Sequence, residues 1–144
     1  FSLYTKYCIL YTNNYMAVIK KKILLVDDDK FLVDMYTVKF READFDITPA
    51  FSGEEALEKI KSGYNPDMII LDVIMPGLSG LEVLEEIRKN KLAPNAMVIF
   101  LSNQGQKTDI EAAKKLGVDG YIVKANTIPS EVLDQVVDIL KNKR

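Results

Sequence analysis

Asp27, Asp28, Asp72, Ser102 and Lys124 are the residues of this sequence with chemistry to offer, because each stands at or just past the end of a short apolar run. Carboxylates brought together raise one another's pKa unless a cation compensates them. A hard divalent ion with oxygen ligands is the natural partner, and Mg2+ uses few carboxylates while keeping several waters. A lysine and a hydroxyl add a point cation and a hydrogen-bond donor. Such a set suits a phosphoryl group, whose transfer needs positioning and charge stabilisation above all. An aspartate can itself be the nucleophile and form an acyl phosphate. Asp72 is the candidate because its run, Met68 to Leu71, is the central one.

Taken singly, each residue has a plainer reading. An acidic triplet suits the start of a helix, where negative charge meets the positive end of the dipole, and Asp29 fits that role. Ser102 alone would be a turn residue, Lys124 a solvated strand end and Tyr121 an aromatic at the edge of the core. Met75-Pro76-Gly77 is in part turn chemistry. Joint placement at one sheet edge overrides these readings.

The elements that must position the set follow from periodicity. ILLV at 23–26, the central run at 67–72, MVIFL at 97–101 and VDGYIV at 118–123 read as buried parallel strands. DITPA at 46–50 is weaker, and Pro49, which donates no hydrogen bond, places it at a sheet edge. A helix over about 30–43 has Leu32, Met35, Tyr36 and Phe40 as its inner face. Ser52 with Glu55, and Ser79 with Glu82, have the spacing of capping boxes. Thr108 and Glu111 cap a fourth helix, with Ile110, Ala113 and Leu116 inward, and Pro129 starts a fifth. Five β-α repeats predict an α/β, doubly wound parallel sheet of strand order 2-1-3-4-5. Ligands bind at the carboxyl edge of such sheets, where all five polar residues lie.

Composition narrows the chemistry. Histidine is absent, which excludes a Ser-His-Asp triad, histidine acid–base catalysis and His-ligated zinc. A single cysteine, Cys8, forms no internal disulfide. The net charge of −2 gives no general pull on nucleic acid, and no apolar run approaches the length of a membrane span. Lys20-Lys21-Lys22 reads as a solvated strand entrance. Residues 1–15 (FSLYTKYCILYTNNY) are tyrosine-rich and lack helical periodicity. They read as a non-native or disordered leader before a start at Met16, the alternative for so β-prone a composition being an ordered extra strand. Residues 16–144 then form the domain.

In order and spacing, ILLVDDD, LDVIMPGLSG, VIFLS and YIVK resemble the receiver domain of bacterial two-component response regulators, over about residues 20–142. The resemblance implies a flavodoxin-like (βα)5 fold and a cytoplasmic, phosphorylation-dependent switch rather than a turnover enzyme. It implies Asp72 as phosphoacceptor. It implies Mg2+ held by Asp28, Asp72 and the backbone carbonyl of Ile74, with Asp27 contributing largely through water. Ser102 stands at the position of the switch hydroxyl, Tyr121 at that of the switch aromatic and Lys124 at that of the family's lysine. The implied donor is a histidine kinase or phosphotransfer protein. The output partner would meet the face formed by the fourth helix, fifth strand and fifth helix, which is also a candidate surface for a phosphorylation-dependent homodimer.

The sequence departs from the family pattern at four positions. Ala125 follows Lys124 where the family usually has proline, in a bond that is typically cis. A cis non-proline bond costs about 3–4 kcal/mol, against about 0.5–1 for X-Pro. Either a trans bond with a shifted loop or a strained cis bond is expected. Ile74 cannot hydrogen-bond an attacking water and Gln104 is neutral, so slow hydrolysis of the phosphorylated form is expected. Asn103 replaces a usually small residue and is expected to crowd the approach of small phosphodonors. Two other functions compete: a receiver-like interaction module working without phosphorylation, and an aspartate-nucleophile phosphohydrolase of the haloacid-dehalogenase type. The latter would use the D-x-D of residues 27–29, but Phe31 stands where a Thr or Val is needed.

Overall fold

Strands with no polar face must be covered on both sides, and the helices of this chain divide accordingly. The computed structural model describes residues 9–12, 15–18, 20–103, 107–124 and 127–142. Strands β1 (Ile9–Thr12) and β2 (Tyr15–Val18) pair antiparallel, with Met16 opposite Tyr11. The domain follows as β3 (Lys22–Val26), α1 (Lys30–Glu42), β4 (Asp46–Ala50), α2 (Gly53–Lys61), β5 (Met68–Leu71) and α3 (Gly80–Lys89). It closes with β6 (Met97–Ser102), α4 (Lys107–Lys115), β7 (Gly120–Val123) and α5 (Pro129–Asn142). The five parallel strands lie in the order β4-β3-β5-β6-β7. Counted within that sheet this is 2-1-3-4-5, as expected.

Side-chain alternation splits the core in two. Leu24, Val26, Ile69, Leu71, Val98 and Phe100 pack with α2, α3 and Ala113 of α4. Ile23, Leu25, Met68, Ile70, Ile99, Leu101 and Ile122 pack with α1 and α5 on the other face. Val26, Leu71, Phe100 and Tyr121 form one row across the sheet. The ladder continues a residue further, Asp27 N–H donating to Ala50 O and Asp72 N–H to Val26 O. Both aspartates therefore leave the sheet at the same level.

Local chemistry sets the helix starts. Asp29 caps α1, its carboxylate accepting from the amides of Phe31 and Leu32. Ser79 and Glu82 complete a reciprocal capping box on α3. At α2, Ser52 accepts from Glu55 N–H, but the Glu55 carboxylate reaches past Ser52 to the amide of Phe51 at 2.8 Å. On β4, the amide of Asp46 points to β3, so the main-chain N–H positions of residues 47 and 49 point to the open edge, where Pro49, which has none, lies as expected.

Three expectations are corrected. The inner face of α1 is Val33, Tyr36, Thr37 and Phe40, while Leu32 and Met35 are half-buried at its rim. Their rotation by about one position places Leu32 over the carboxyl edge of the sheet. Thr108 does not cap α4, which already begins at Lys107. The last strand starts at Gly120 rather than 118, because Asp119 turns its carboxylate to the Val98 amide at 2.7 Å.

Gly80 fixes the return of the chain after β5. Its amide donates to Val73 O at 2.8 Å, and a Cβ there would run into the carbonyl oxygen of Asp72. Backbone cannot yield as a flexible side chain does. Gly80→Ala is expected to cost about 1–3 kcal/mol of stability, read as a lower urea midpoint at unchanged m-value.

Candidate functional site

Strand ends bring the polar residues together. One carboxylate oxygen each from Asp27, Asp28 and Asp72 lies within 4.8 Å of the others. Alternation explains which groups meet. Asp27 continues the parity of Ile23 and Leu25, Asp72 that of Met68 and Ile70, and Lys124 that of Ile122, so all three lean to the α1–α5 side. Ser102 continues the parity of Val98 and Phe100 and leans to the opposite side, with Tyr121.

The buried ammonium of Lys124 lies 2.6 Å from Asp27 Oδ2 and 3.7 Å from Asp72 Oδ2. The other Asp27 oxygen accepts from the amide of Asp29 at 3.0 Å. Both Asp27 oxygens are thus engaged within the protein. Asp28 is exposed and Asp72 is buried. The Asp72 carboxyl is pushed up to about 6, chiefly by burial and further by the charges of Asp27 and Asp28. Lys124 and a hydrogen bond from the Ile74 amide oppose that rise without cancelling it. The site therefore carries excess negative charge that one lysine does not neutralise.

These groups line a cleft of about 370 Å³ that also includes Leu32, Ser102 and Asn103. Three oxygen ligands on a concave, partly open surface fit a hard divalent cation that keeps several waters. Ser102 is buried and hydrogen-bonds the hydroxyl of Tyr121, whose ring meets Phe100 edge-on at 6.2 Å between centroids. Ile74, 60% exposed, lines the cleft at its rim. Gln104 and the Lys124–Ala125 bond, on which the sequence raised expectations, lie outside the described residues. Sequence reading did not place Leu32 in the cleft. Its position three residues after the α1 cap was the available signal. A larger groove of about 510 Å³, between β4 and α2 and lined by Thr48, Glu58 and Tyr64 among others, holds no comparable convergence of charge.

The raised Asp72 carboxyl makes a stability prediction. The folded state holds this proton more tightly than the unfolded one, whose carboxyl titrates near 3.8. Stability contributed here is present below pH 3.8 and is lost as pH rises through about 6. In metal-free buffer, Asp72→Asn is expected to stabilise the chain at pH 7.5 by on the order of 1 kcal/mol after allowance for solvent screening. The gain should vanish near pH 4, as followed by thermal unfolding at both pH values.

Comparison with known proteins agrees with this geometry. Residues 23–137 match the model of the response regulator receiver domain. The chemotaxis protein CheY of Halobacterium salinarum is 36% identical over 121 residues, covering 83% of this chain and 97% of that protein. The alkaline phosphatase synthesis transcriptional regulatory protein PhoP of Bacillus subtilis is also 36% identical over 121 residues, 84% of this chain. This chain spans only about half, 49%, of the length of PhoP. Among solved structures, the response regulator TrrA of Thermotoga maritima, determined with Mg2+ and BeF, is 37% identical with a TM-score of 0.71. That match covers 83% of this chain and 98% of TrrA. A CheY-like receiver domain from Methanospirillum hungatei shares the fold at a TM-score of 0.76, with 24% identity over 85% of this chain and 95% of its own. The chain belongs to the receiver-domain family of two-component response regulators, which are phosphoacceptors in signalling rather than turnover enzymes.

Proposed function

We propose that Asp72 accepts a phosphoryl group from the phosphohistidine of a histidine kinase or phosphotransfer protein. The observation that carries this reading is the convergence of two carboxylates, Asp27 and Asp28, and of Lys124 on Asp72, buried at the end of the central strand. An Asp72 oxygen attacks phosphorus, the P–N bond breaks, and its electron pair returns to the donor imidazole. Asp28, Asp72 and the Ile74 carbonyl would hold Mg2+ directly, with Asp27 acting largely through water. That division suits Asp27, whose oxygens are already taken by Lys124 and the Asp29 amide. Bound there, the ion supplies charge neutralisation for the carboxylates and the transferring phosphoryl oxygens.

Lys124, whose ammonium lies 3.7 Å from Asp72 Oδ2, would offer it to an oxygen of the phosphoryl group carried there. Ser102 would reach toward the phosphoryl group, and to do so it exchanges the Tyr121 hydroxyl for the new oxygen. Release of that bond frees the ring of Tyr121 to turn inward. The change is then displayed on α4, β7 and α5 to an output protein or a second copy of this chain. Receiver domains interact with histidine kinases, and such a kinase is the donor expected for this chain. No described helix is long and apolar enough to cross a membrane. Residues 1–15 we read as lying outside the switch, since the family match starts at Ile23.

The test is treatment with acetyl phosphate and Mg2+, read by intact-protein mass. Wild type should gain one phosphoryl group, EDTA should abolish the gain, and Asp72→Asn should show none. Absence of labelling by acetyl phosphate and by a phosphohistidine donor alike would leave a receiver-shaped interaction module. Asn103, exposed at the rim of the cleft, should limit small donors. Asn103→Ala is expected to speed labelling by acetyl phosphate severalfold, and an unchanged rate would remove that role.

A further inference from the structure

The loop between β5 and α3 carries the Ile74 main chain past Asp72, so whatever fixes that loop also sets the geometry of the acceptor. Its near end is held by Gly80 against the Asp72 carbonyl. Its far end, Gly77 and Leu78, is held by α2. Gly53, the first residue of α2, lies so close that a Cβ there would meet Val83 Cγ2 at 2.5 Å and Leu78 Cβ at 3.0 Å. The next residue, Glu54, extends across the gap and accepts a hydrogen bond from the Leu78 amide at 3.1 Å.

The loop is shaped to take that carboxylate. Gly77 has φ of +75°, and a Cβ on it would lie 2.6 Å from Glu54 Oε1. The position is thus left-handed, where glycine is favoured, and any larger residue would expel Glu54. Its own amide and that of Leu78 hold the Glu54 carboxyl below its ordinary value. A solvent-facing glutamate in the first turn of a helix normally serves only the helix dipole. This one is bonded 24 residues away in sequence, to the loop that follows the acceptor.

We infer that Glu54 is a positioning residue for the acceptor site: its carboxylate clamps Gly77 and Leu78 to α2 and thereby presets the Ile74 main chain beside Asp72. The inference rests on the acceptor reading given above. Glu54 touches neither the phosphoryl group nor the metal. It acts on both through the loop, by sparing the site the cost of ordering Ile74 when a cation binds.

The experiment is a Mg2+ titration of the full chain, followed by amide NMR signals of Ile74 and Leu78, for wild type, Glu54→Ala and Glu54→Gln. Loss of one charge-assisted hydrogen bond at an exposed site should weaken Mg2+ binding about threefold in Glu54→Ala. Leu78 amide exchange should quicken in parallel, while Tm stays within about 2 °C. Glu54→Gln, which keeps an acceptor oxygen, should recover most of the affinity, a rescue that a role confined to the helix dipole would not produce. Wild-type affinity in Glu54→Ala, with Leu78 exchange quickened, would overturn the inference while leaving the acceptor reading intact. A wild-type chain that binds no Mg2+ would overturn the acceptor reading, and this inference with it.

Discussion

The ion pair between Lys124 and Asp27 is the contact on which the cleft depends. It joins residues 97 apart in sequence, at 2.6 Å and out of solvent. β3 and β7 are separated by two intervening strands, a span of about 14 Å at ordinary strand spacing. The lysine and the aspartate close that breadth from opposite sides over the ends of β5 and β6, which brings the ammonium beside Asp72. Removing either partner would strand a buried charge, a loss far larger than the net worth of the pair. The pair thus ties the first strand of the domain to the last while leaving Asp72 close to a cation and short of full neutralisation.

That shortfall suits the acceptor role proposed for Asp72. An aspartate fully satisfied by salt bridges would be a poor nucleophile and an indifferent metal ligand. Asp72 instead sits among like charges in a buried place, where an arriving cation relieves strain as it binds. In the proposed mechanism the opposite face of the sheet holds the response. Ser102 and Tyr121 hydrogen-bond there, beside α4, the most thinly packed of the helices. Ala113 is the one fully buried residue of α4, and Arg88 of α3 secures the far end by bonding the carbonyls of Leu116 and Gly117. Elements that rearrange come from the low end of local stability, and α4 fits that description. The proposed acceptor and the proposed response are separated by one residue of strand alternation.

Much of this was legible in the sequence because it rests on simple periodicities. The apolar runs at β3, β5 and β6 could only be buried strands, and their ends carried Asp27, Asp72 and Ser102 into view. Pro49 located the edge strand by its missing donor. The rest depended on side-chain reach, which periodicity does not encode. Ser52 and Glu55 had the spacing of a capping box, but only the fold shows Glu55 reaching the Phe51 amide. Val33 and Thr37, rather than Leu32 and Met35, face inward because α1 rotates by about one position from the expected phase. The Glu54–Leu78 bond had no sequence signal, since a glutamate in the first turn of a helix is ordinary and its partner lies in another element.

The outer rim of β4 is an edge of the sheet that offers little to another strand. The main-chain N–H positions of Ile47, Pro49 and Phe51 point away from β3, yet proline has no N–H and the Phe51 amide is held by Glu55. Little remains there for a foreign strand to zip onto, so this border resists runaway β-sheet growth between molecules. A border so short of free donors leaves contact between copies, where it occurs, to the helical faces.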